Sequence, residues 1–318
     1  MNQQISNKLT VIRVISMIFI VLCHYLQFFD IYLAFWFNVG VQIFFIISGV
    51  LYGNKDVNDF KKFWKSKFFK IILPYLIVVL CFLGYCFIIN NKPFNLIDIF
   101  YYLTMSQAFN TGVSSLAHLW FISYILLFYL ILPVLQKFDI SEDKYFYLKL
   151  ILIIIGLQCL QILNVINVNI TYLSLFIVAY YFSRRYFKNN IKDNYKIFYI
   201  ITLGICLIGI PLQLFLERYQ FTGIVYKLFI IYHDYVHAFL GINLFLLFMK
   251  IIPDVKNKFI SYVSNISYYV YLIHQIFILG TFTLLNYNFG IIYSLLAIIV
   301  CSNLLYYICK YINRKALK

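Results

Sequence analysis

Charged residues are scarce in this 318-residue sequence: only 12% are Asp, Glu, Lys or Arg, whereas 64% are hydrophobic. Apolar runs recur along the whole chain, which excludes a separate soluble core and predicts a polytopic membrane protein. The expected fold class is therefore all-α, a bundle of transmembrane helices. Acidic residues are the rarer charged class, with 11 against 26 basic ones and a net charge of +15.

Signatures of several soluble enzyme classes are also missing. The sequence has no Walker or dinucleotide-binding glycine pattern, no internal repeat and no low-complexity linker. These absences argue against an ATPase, a kinase or a cytoplasmic enzyme that binds nucleotide sugars. The seven cysteines lie in or beside apolar segments, without metal-ligand pairs or a disulfide framework, and are expected to be packing residues. Any chemistry must therefore use side chains on the helices and short loops.

The apolar runs predict about ten membrane-spanning helices. Their approximate ranges are 9–29, 38–54, 68–89, 118–136, 147–163, 171–186, 197–216, 228–249, 266–283 and 290–310. A further apolar stretch, 95–108, is too short to span a bilayer and suits a re-entrant or interfacial piece. We therefore expect one integral-membrane domain over residues 1–318.

The distribution of basic residues supports this topology, because cytoplasmic loops collect Lys and Arg. With a cytoplasmic N-terminus, all of the 26 basic residues except Lys92, Arg218 and Lys227 fall on the cytoplasmic side. Ten spans then place both termini in the cytoplasm. The net charge thus reflects topology. The sequence has no basic, aromatic-interleaved soluble face, so we do not predict binding to nucleic acid. The basic loop 55–70 is the best candidate to contact membrane lipids or a phosphate-rich ligand.

Two ionisable residues, Arg13 and His24, lie inside the first predicted span with ten residues between them. At ~100° per residue they return to within about 20° of one helix face, roughly 16 Å apart along the axis. Ionisable residues inside a membrane usually line a ligand, ion or proton site. Taken singly, Arg13 can snorkel to the interface and His24 can be a structural histidine. Their shared face favours a functional cavity.

The fourth predicted span has an unusually polar face. His118 and Trp120 open it, and Ser123 and Tyr129 follow within the apolar run. Taken singly, Trp120 suits an aromatic belt at the membrane interface and His118 a solvated helix start. Together the four residues predict a face buried against a cavity or another helix.

The ninth predicted span carries Ser267, Tyr271 and His274 at helical spacings of four and three, so the three can share one polar stripe. Packing with internal hydrogen bonds is the alternative. In the second predicted span, small residues near both ends of 40–51 allow close helix approach. Ser48, next to a glycine there, can donate into a cavity.

His233 and His237 have the i, i+4 spacing that metal-binding helices use. Asp234 stands where the hydrolase motif has a glutamate, and no third ligand is identifiable. We therefore predict no metal site.

Taken in order, these segments resemble the acyltransferase-3 membrane family, and the resemblance covers almost the whole chain. The matching features are Arg13 and His24 in the first span, the Gly40–Leu51 segment, Lys67 and Lys70 before Pro74-Tyr75, His118-Leu119-Trp120 followed by Ser123, Phe128-Tyr129 and Pro133, and Ile266-Ser267-Tyr268 followed by Tyr271 and His274. Their conjunction is far more specific than any single motif.

The resemblance implies a multi-pass enzyme of a bacterial cytoplasmic membrane. Such an enzyme transfers an acyl group, often acetyl, from cytoplasmic acyl-CoA to a cell-surface or exported glycan or its lipid-linked precursor. It implies acyl-CoA as co-substrate, no permanently bound cofactor, and other polysaccharide-biosynthesis proteins as candidate partners. A histidine is the usual base near neutral pH.

Roles for individual residues follow from this resemblance. His24 is the candidate general base or, alternatively, a transient acyl carrier. Arg13 is the candidate donor clamp because a guanidinium suits phosphate. The other candidates form two groups. The donor group is Lys67, Lys70 and Ser48, and the acceptor or cavity group is His118, Trp120, Ser123, Tyr129, Ser267, Tyr271 and His274.

The sequence departs from the family pattern in two places. Ile125 and Leu126 stand where many relatives carry an acidic residue, so no acid role is assigned there. Lys67 and Lys70 replace the usual arginines, which keeps the charge but loses the bidentate fork. A membrane transporter that exports a lipid-linked glycan is the alternative function, since buried Arg and His with polar helix faces also suit transport.

Overall fold

A computed structural model describes residues 3–88, 95–109, 113–165, 168–189, 195–254 and 256–316. Within these residues the chain is helical and contains no strand. The α-helices are α1 (Gln3–Phe28), α2 (Ala34–Phe37), α3 (Val39–Gly53), α4 (Phe60–Lys67), α5 (Leu73–Ile88), α6 (Leu96–Leu103), α7 (Trp120–Lys137), α8 (Phe146–Ile162), α9 (Ile170–Ser183), α10 (Tyr195–Leu216), α11 (Gly223–Ile251), α12 (Lys258–Ile278) and α13 (Gly290–Ala316). Wider π turns, Phe68–Ile72 and Arg184–Lys188, follow α4 and α9.

Each of the ten predicted spans corresponds to a helix, which confirms the all-α prediction. Seven helical stretches among the described residues are long and apolar enough to cross a bilayer, so the chain has the character of a multi-pass membrane protein. They are Gln3–Phe28, Ala34–Gly53, Phe60–Ile88, Ser115–Lys137, Lys196–Leu216, Gly223–Ile251 and Gly290–Ala316. The span count of ten and the orientation of the termini stay predictions. The apolar stretch 95–108 forms the short helix α6.

The chain divides into two compact units. Unit one comprises Met1–Ile20, Phe35–Asp56 and Phe128–Asn257, and unit two comprises Val21–Ala34, Val57–Leu127 and Lys258–Lys318. The single domain expected over residues 1–318 stays a prediction.

In unit one, α3 packs closely against its neighbours through glycines, as its small residues predicted. A β-carbon on Gly40 would lie 2.5 Å from the Ser16 carbonyl oxygen of α1, and one on Gly49 would lie 2.6 Å from the Phe176 carbonyl oxygen of α9. Where α11 crosses α3, a β-carbon on Gly241 would lie 2.8 Å from the β-carbon of Gln42. Small residues let helix backbones approach, which stabilises helix pairs in lipid by van der Waals contact.

An ion-pair network connects the loop that follows α3, the loop that follows α7 and the π turn after α9. Arg184, whose side chain is 9% exposed, donates to the carboxylates of Asp56 and Asp139, and Lys188 also pairs with Asp56. The hydrogen bond from Lys188 lowers the pKa of Asp56, and Arg184 adds to this effect. Partial burial acts in the opposite direction on Asp139, but hydrogen bonds from Arg184 and Ser141 outweigh it and lower its pKa. Both carboxylates are therefore bound in their ionised form.

This network predicts acid sensitivity. Carboxylates with a lowered folded-state pKa contribute stability above their unfolded pKa of about 3.9 and lose it as the pH falls through the folded-state value. We expect the melting temperature of the detergent-solubilised protein to fall as the pH is lowered from about 5 to about 3. Asp139→Asn should lower the melting temperature at neutral pH and reduce this acid-dependent fall, as followed by tryptophan fluorescence.

The matched control is Lys149→Ala, which removes an ion pair with Asp143 in which the lysine side chain is 46% exposed. Exposed pairs contribute only about 0–1 kcal/mol, so this variant should keep the melting temperature of the unmodified protein. An acid-dependent fall that is the same in Asp139→Asn and the unmodified protein would contradict the assignment.

In unit two, α12 packs against α13 and α5. Tyr25, Ile278 and Ile298 form a buried apolar cluster, and the hydroxyls of Tyr25 and Ser294 are hydrogen-bonded at 2.7 Å. The Tyr268 hydroxyl donates to the carbonyl oxygen of Ile71 (2.8 Å), in the π turn that precedes α5. These contacts hold α12, which carries Tyr271 and His274, in a fixed position within the unit.

Candidate active site

Three of the five histidines meet in unit two. His24 comes from α1, His118 from the 3-10 turn before α7, and His274 from α12. The ring of His274 lies between the other two, with centroid distances of 5.0 Å to His24 and 5.0 Å to His118. His118 and His274 are buried, whereas His24 is half-buried. Residues far apart in sequence thus form one cluster of imidazoles, which we call the histidine cluster.

Each imidazole of the histidine cluster donates one N–H to an amide or peptide oxygen. The contacts are His24 Nδ1 to Gln27 Oε1 (2.6 Å), His118 Nε2 to Leu272 O (3.3 Å) and His274 Nδ1 to Tyr271 O (2.7 Å). Because these oxygens only accept, the ring nitrogen in contact carries the proton. The neutral rings then hold their lone pairs on His24 Nε2, His118 Nδ1 and His274 Nε2.

Two of these lone-pair nitrogens are buried. Within the described part of the chain, His118 Nδ1 and His274 Nε2 have no hydrogen-bond partner. Buried polar atoms in proteins almost always have a partner, so these two nitrogens are available to accept a hydrogen bond from a donor outside the chain. A hydroxyl group or a water molecule would satisfy these nitrogens. The cluster can therefore accept a proton, which is what general-base chemistry requires.

Tyr271 contacts the histidine cluster, and its predicted place at the acceptor stays a prediction. Its hydroxyl donates to the carbonyl oxygen of His118, and its ring centroid lies 5.2 Å from the ring of His118. Ser267 shares the helix but does not take part, because its hydroxyl donates to the Ser264 carbonyl oxygen of α12 (2.8 Å). This bond fits the packing alternative, and the predicted place of Ser267 at the acceptor stays a prediction.

Ser123 belongs to a second polar network in unit two. Its hydroxyl donates to Gln107 Oε1 (3.3 Å) and accepts from the Ala108 amide (3.2 Å). Gln107, which is fully buried, also donates to the Tyr75 hydroxyl, and this hydroxyl donates to the Tyr102 carbonyl oxygen (2.7 Å). Gln107 was not among the predicted site residues, although a lone glutamine in an apolar stretch too short to span a bilayer was a usable signal. Ser123 therefore connects α7 to the segment after α6.

Trp120 and the predicted donor lysines lie elsewhere in unit two. The half-buried Trp120 packs edge-on against Tyr124 of its own helix, with ring centroids 5.6 Å apart. The ammonium of Lys67 lies 5.0 Å from the ring centroid of Phe63. Lys70, in the following π turn, is exposed. Their predicted roles at a substrate stay predictions.

Arg13 lies in unit one, half-buried in α1. Tyr129 and Tyr52 lie close enough to interact with it electrostatically, and their rings pack edge-to-face at 5.2 Å. No carboxylate of the described residues forms an ion pair with Arg13. The sequence analysis named Tyr129 but missed Tyr52. Ser48, also in unit one, donates to the Phe44 carbonyl oxygen of its own helix (3.0 Å). Because Arg13 and His24 lie in different units, their shared cavity stays a prediction.

The remaining two histidines form a separate stack in unit one. The rings of His233 and His237 lie 5.2 Å apart and nearly parallel, and the ring of Phe35 lies 4.0 Å from that of His237. Asp234 lies 3.5 Å from His233 Nδ1 and accepts a hydrogen bond from Asn169 (2.6 Å). Across the described residues, no group of three His, Cys, Asp or Glu side chains is arranged to hold a metal ion.

Comparison with known proteins adds one finding. Residues 6–314 match a family model described as an acyltransferase domain, which is nearly the whole chain. No curated protein and no solved structure matches the chain.

Proposed function

The chain belongs to the acyltransferase-3 family, and we propose that it transfers an acyl group, most simply acetyl, from cytoplasmic acyl-CoA to a hydroxyl of a cell-surface or exported glycan or its lipid-linked precursor. The observation that carries this proposal is the histidine cluster, in which three imidazoles present lone-pair nitrogens within one unit. Acyl transfer to a hydroxyl needs such a proton acceptor. The reaction would take place in a bacterial cell membrane.

The proposed step uses His24 as the base. Its Nε2 removes the proton from the acceptor hydroxyl while the oxygen attacks the thioester carbonyl carbon. A C–O ester bond forms, the C–S bond breaks, and the departing CoA thiolate takes the proton back from the imidazolium. Gln27 holds Nδ1 and so selects the tautomer that leaves Nε2 as the acceptor atom.

The two buried histidines are assigned positioning roles. His274 touches the rings of both His24 and His118, and each of its neighbours is in turn held by a backbone oxygen or a side-chain amide. Imidazole rings locked in this way keep the base in one orientation, which reduces the rearrangement needed at the reacting centre. Tyr271 completes the positioning by holding the His118 backbone.

The proposed donor clamp is Arg13. A half-buried guanidinium beside two tyrosines can accept an anion, and guanidinium geometry suits a phosphate of CoA. Lys67, Lys70 and Ser48 stay predicted donor-binding residues on the sequence motifs alone. Within unit two, the acceptor would meet His118, Trp120, Ser123 and Tyr271, whereas Tyr129 of unit one stays a predicted acceptor residue.

The first test is direct. Membranes that contain the protein, and matched membranes without it, are incubated with radiolabelled acetyl-CoA, and label is followed into the glycan fraction. We expect protein-dependent label that mild alkali releases, as it does for an ester. Protein-dependent appearance of unmodified glycan outside the membrane, with no label from any acyl-CoA tested, would refute the proposal and favour an exporter.

Arg13→Ala is expected to raise the KM for acyl-CoA. Loss of a hydrogen bond to a charged group costs about 1.5–3 kcal/mol, which corresponds to about a 10-fold to 150-fold weaker donor affinity. Arg13→Lys should fall between the alanine variant and the unmodified protein, because it keeps the charge but loses the fork. The measurement is transfer rate against acyl-CoA concentration.

The control for this experiment is Arg218→Ala, which removes an exposed arginine from a loop. Its KM should equal that of the unmodified protein. If Arg13→Ala changed kcat alone, with an unaltered KM, its assignment as donor clamp would be wrong.

A further inference from the structure

Unit one contains a large apolar cavity that is independent of the histidine cluster. It has a volume of about 700 Å³ and lies among α8, α9, α10 and α11. Ligand pockets in proteins typically measure ~300–1,000 Å³, so the cavity is large enough for a sizeable ligand. Aliphatic and aromatic side chains form most of its walls, among them Ile154, Val178 and Phe239.

The shape of the cavity suits an extended chain. On α9 its lining extends from Thr171 to Phe182, and the 11 helical steps between these residues correspond to roughly 16 Å. The hydrocarbon layer of one leaflet is half of the ~30 Å bilayer core, or roughly 15 Å. The cavity can thus hold a lipid tail over the full depth of one leaflet.

One end of the cavity is positively charged. Lys144, just before α8, and Arg185, just after α9, both line it, and these two positions lie at the same end because α8 begins where α9 finishes. Arg185 is held in place there. Its Nη1 donates to the Ser141 carbonyl oxygen (2.7 Å), and its guanidinium lies 4.7 Å from the ring centroid of Phe146. The neighbouring Asp143 carboxylate is already paired with Lys149.

A buried hydroxyl lies at the opposite end. Thr171 is 2% exposed and lines the cavity, and its Oγ1 has no hydrogen-bond partner in the part of the chain that the structure describes. Apart from this hydroxyl, the cavity combines a cationic end with a long apolar body. That combination matches an amphipathic ligand with an anionic head and a hydrocarbon tail.

We propose that this cavity binds an anionic phospholipid, with one acyl chain between α8 and α11 and the phosphate at Lys144 and Arg185. The sequence analysis predicts that these two residues lie on the cytoplasmic side, where anionic lipids attract basic residues. This binding does not depend on the proposed transferase activity.

The test uses the purified full-length protein and a phosphatidylglycerol that carries a photoactivatable group in its acyl chain, with labelled peptides identified by mass spectrometry. We expect label on α8 and α9. Ile154→Trp, which fills the cavity, should reduce this label at least fivefold. Ile155→Trp is the matched control, because Ile155 is adjacent, exposed and not part of the lining. Equal labelling of both tryptophan variants would overturn the proposal.

The headgroup is tested separately. Lys144→Gln should reduce labelling by phosphatidylglycerol, whereas Lys137→Gln, which removes an exposed lysine outside the lining, should not. A phosphatidylcholine probe should label the unmodified protein several-fold less than the anionic probe. Equal labelling by the two lipids, or displacement of the probe by palmitoyl-CoA and not by phosphatidylglycerol, would overturn the assignment. Melting temperatures of all four variants establish that they are folded.

Discussion

His24→Ala is expected to lower kcat/KM for acyl transfer by about 10²–10⁴-fold, the range that a positioned general base contributes. The reason is geometric as well as chemical. Gln27 fixes the Nδ1 proton of His24, and His274 packs against the ring, so the imidazole is held with Nε2 as its acceptor atom, and alanine removes that nitrogen. The measurement is the initial rate of radiolabel transfer in membranes with equal amounts of protein.

The matched control is His233→Ala, which removes a half-buried histidine from the separate stack in unit one. It should retain the rate of the unmodified protein. Full activity of His24→Ala would remove this residue from the mechanism. If both variants lost activity equally, the loss would reflect general damage and the assignment of His24 would fail.

A further experiment distinguishes the two alternative roles of His24, general base and acyl carrier. A general base never carries the acyl group, whereas an acyl carrier forms a covalent acyl-imidazole before the acceptor binds. We expect no radiolabel on the protein when acyl-CoA is supplied without acceptor and the reaction is quenched rapidly. Label that is present on the unmodified protein and lost in His24→Ala would instead identify the carrier mechanism.

Gly53→Ala is expected to destabilise the protein by about 3 kcal/mol or more, at the upper end of the cost of overpacking. A β-carbon at Gly53 would lie 2.2 Å from the Tyr180 carbonyl oxygen and 2.9 Å from the β-carbon of Ser183. The nearest atom belongs to the backbone of α9, so the clash can be relieved only by separating α3 from α9. Melting temperature and the monodisperse yield in detergent report the effect.

Gly84→Ala is the matched control, because a β-carbon at this position in α5 would meet no atom within 4 Å. Alanine is favoured over glycine in a helix by roughly 0.5–1 kcal/mol, so this variant should be neutral or slightly more stable. Equal melting temperatures for Gly53→Ala and Gly84→Ala would show that α3 and α9 do not pack as described.

The helices were largely predictable from the sequence. Apolar runs long enough to span a bilayer indicate helices by themselves, because an unpaired backbone is too costly in hydrocarbon. The number of spans was harder to predict, because two of the elements are short. The helix α8 is only 17 residues long, and α9 is an α-helix of 14 residues followed by a π turn. Helix length and hydropathy alone do not decide whether such elements cross the bilayer.

The ion-pair network shows what the sequence could not reveal. Arg184 and Arg185 were counted only as basic residues of a cytoplasmic loop, yet both are buried. Arg184 pairs with Asp56 and Asp139, which are separated from it by 128 and 45 positions in the chain. No local pattern marks such partners, because a π turn and two loops bring them together only in the folded protein. The buried Gln107 and the ring pair of Tyr52 and Tyr129 were hidden for the same reason.

The sequence by itself determined the membrane character, the helical class, the family and the identity of the three histidines, because composition, hydropathy and motif order are local properties of the chain. Only the tertiary structure decided that His24, His118 and His274 form one cluster while Ser267 bonds within its own helix, and that Arg13 lies with Tyr52 and Tyr129. Those outcomes depend on which helix faces pack together. Within unit one that choice depends on close contacts such as those at Gly49 and Gly53, between residues more than a hundred positions apart. Within unit two it depends on contacts such as the one between the rings of His24 and His274.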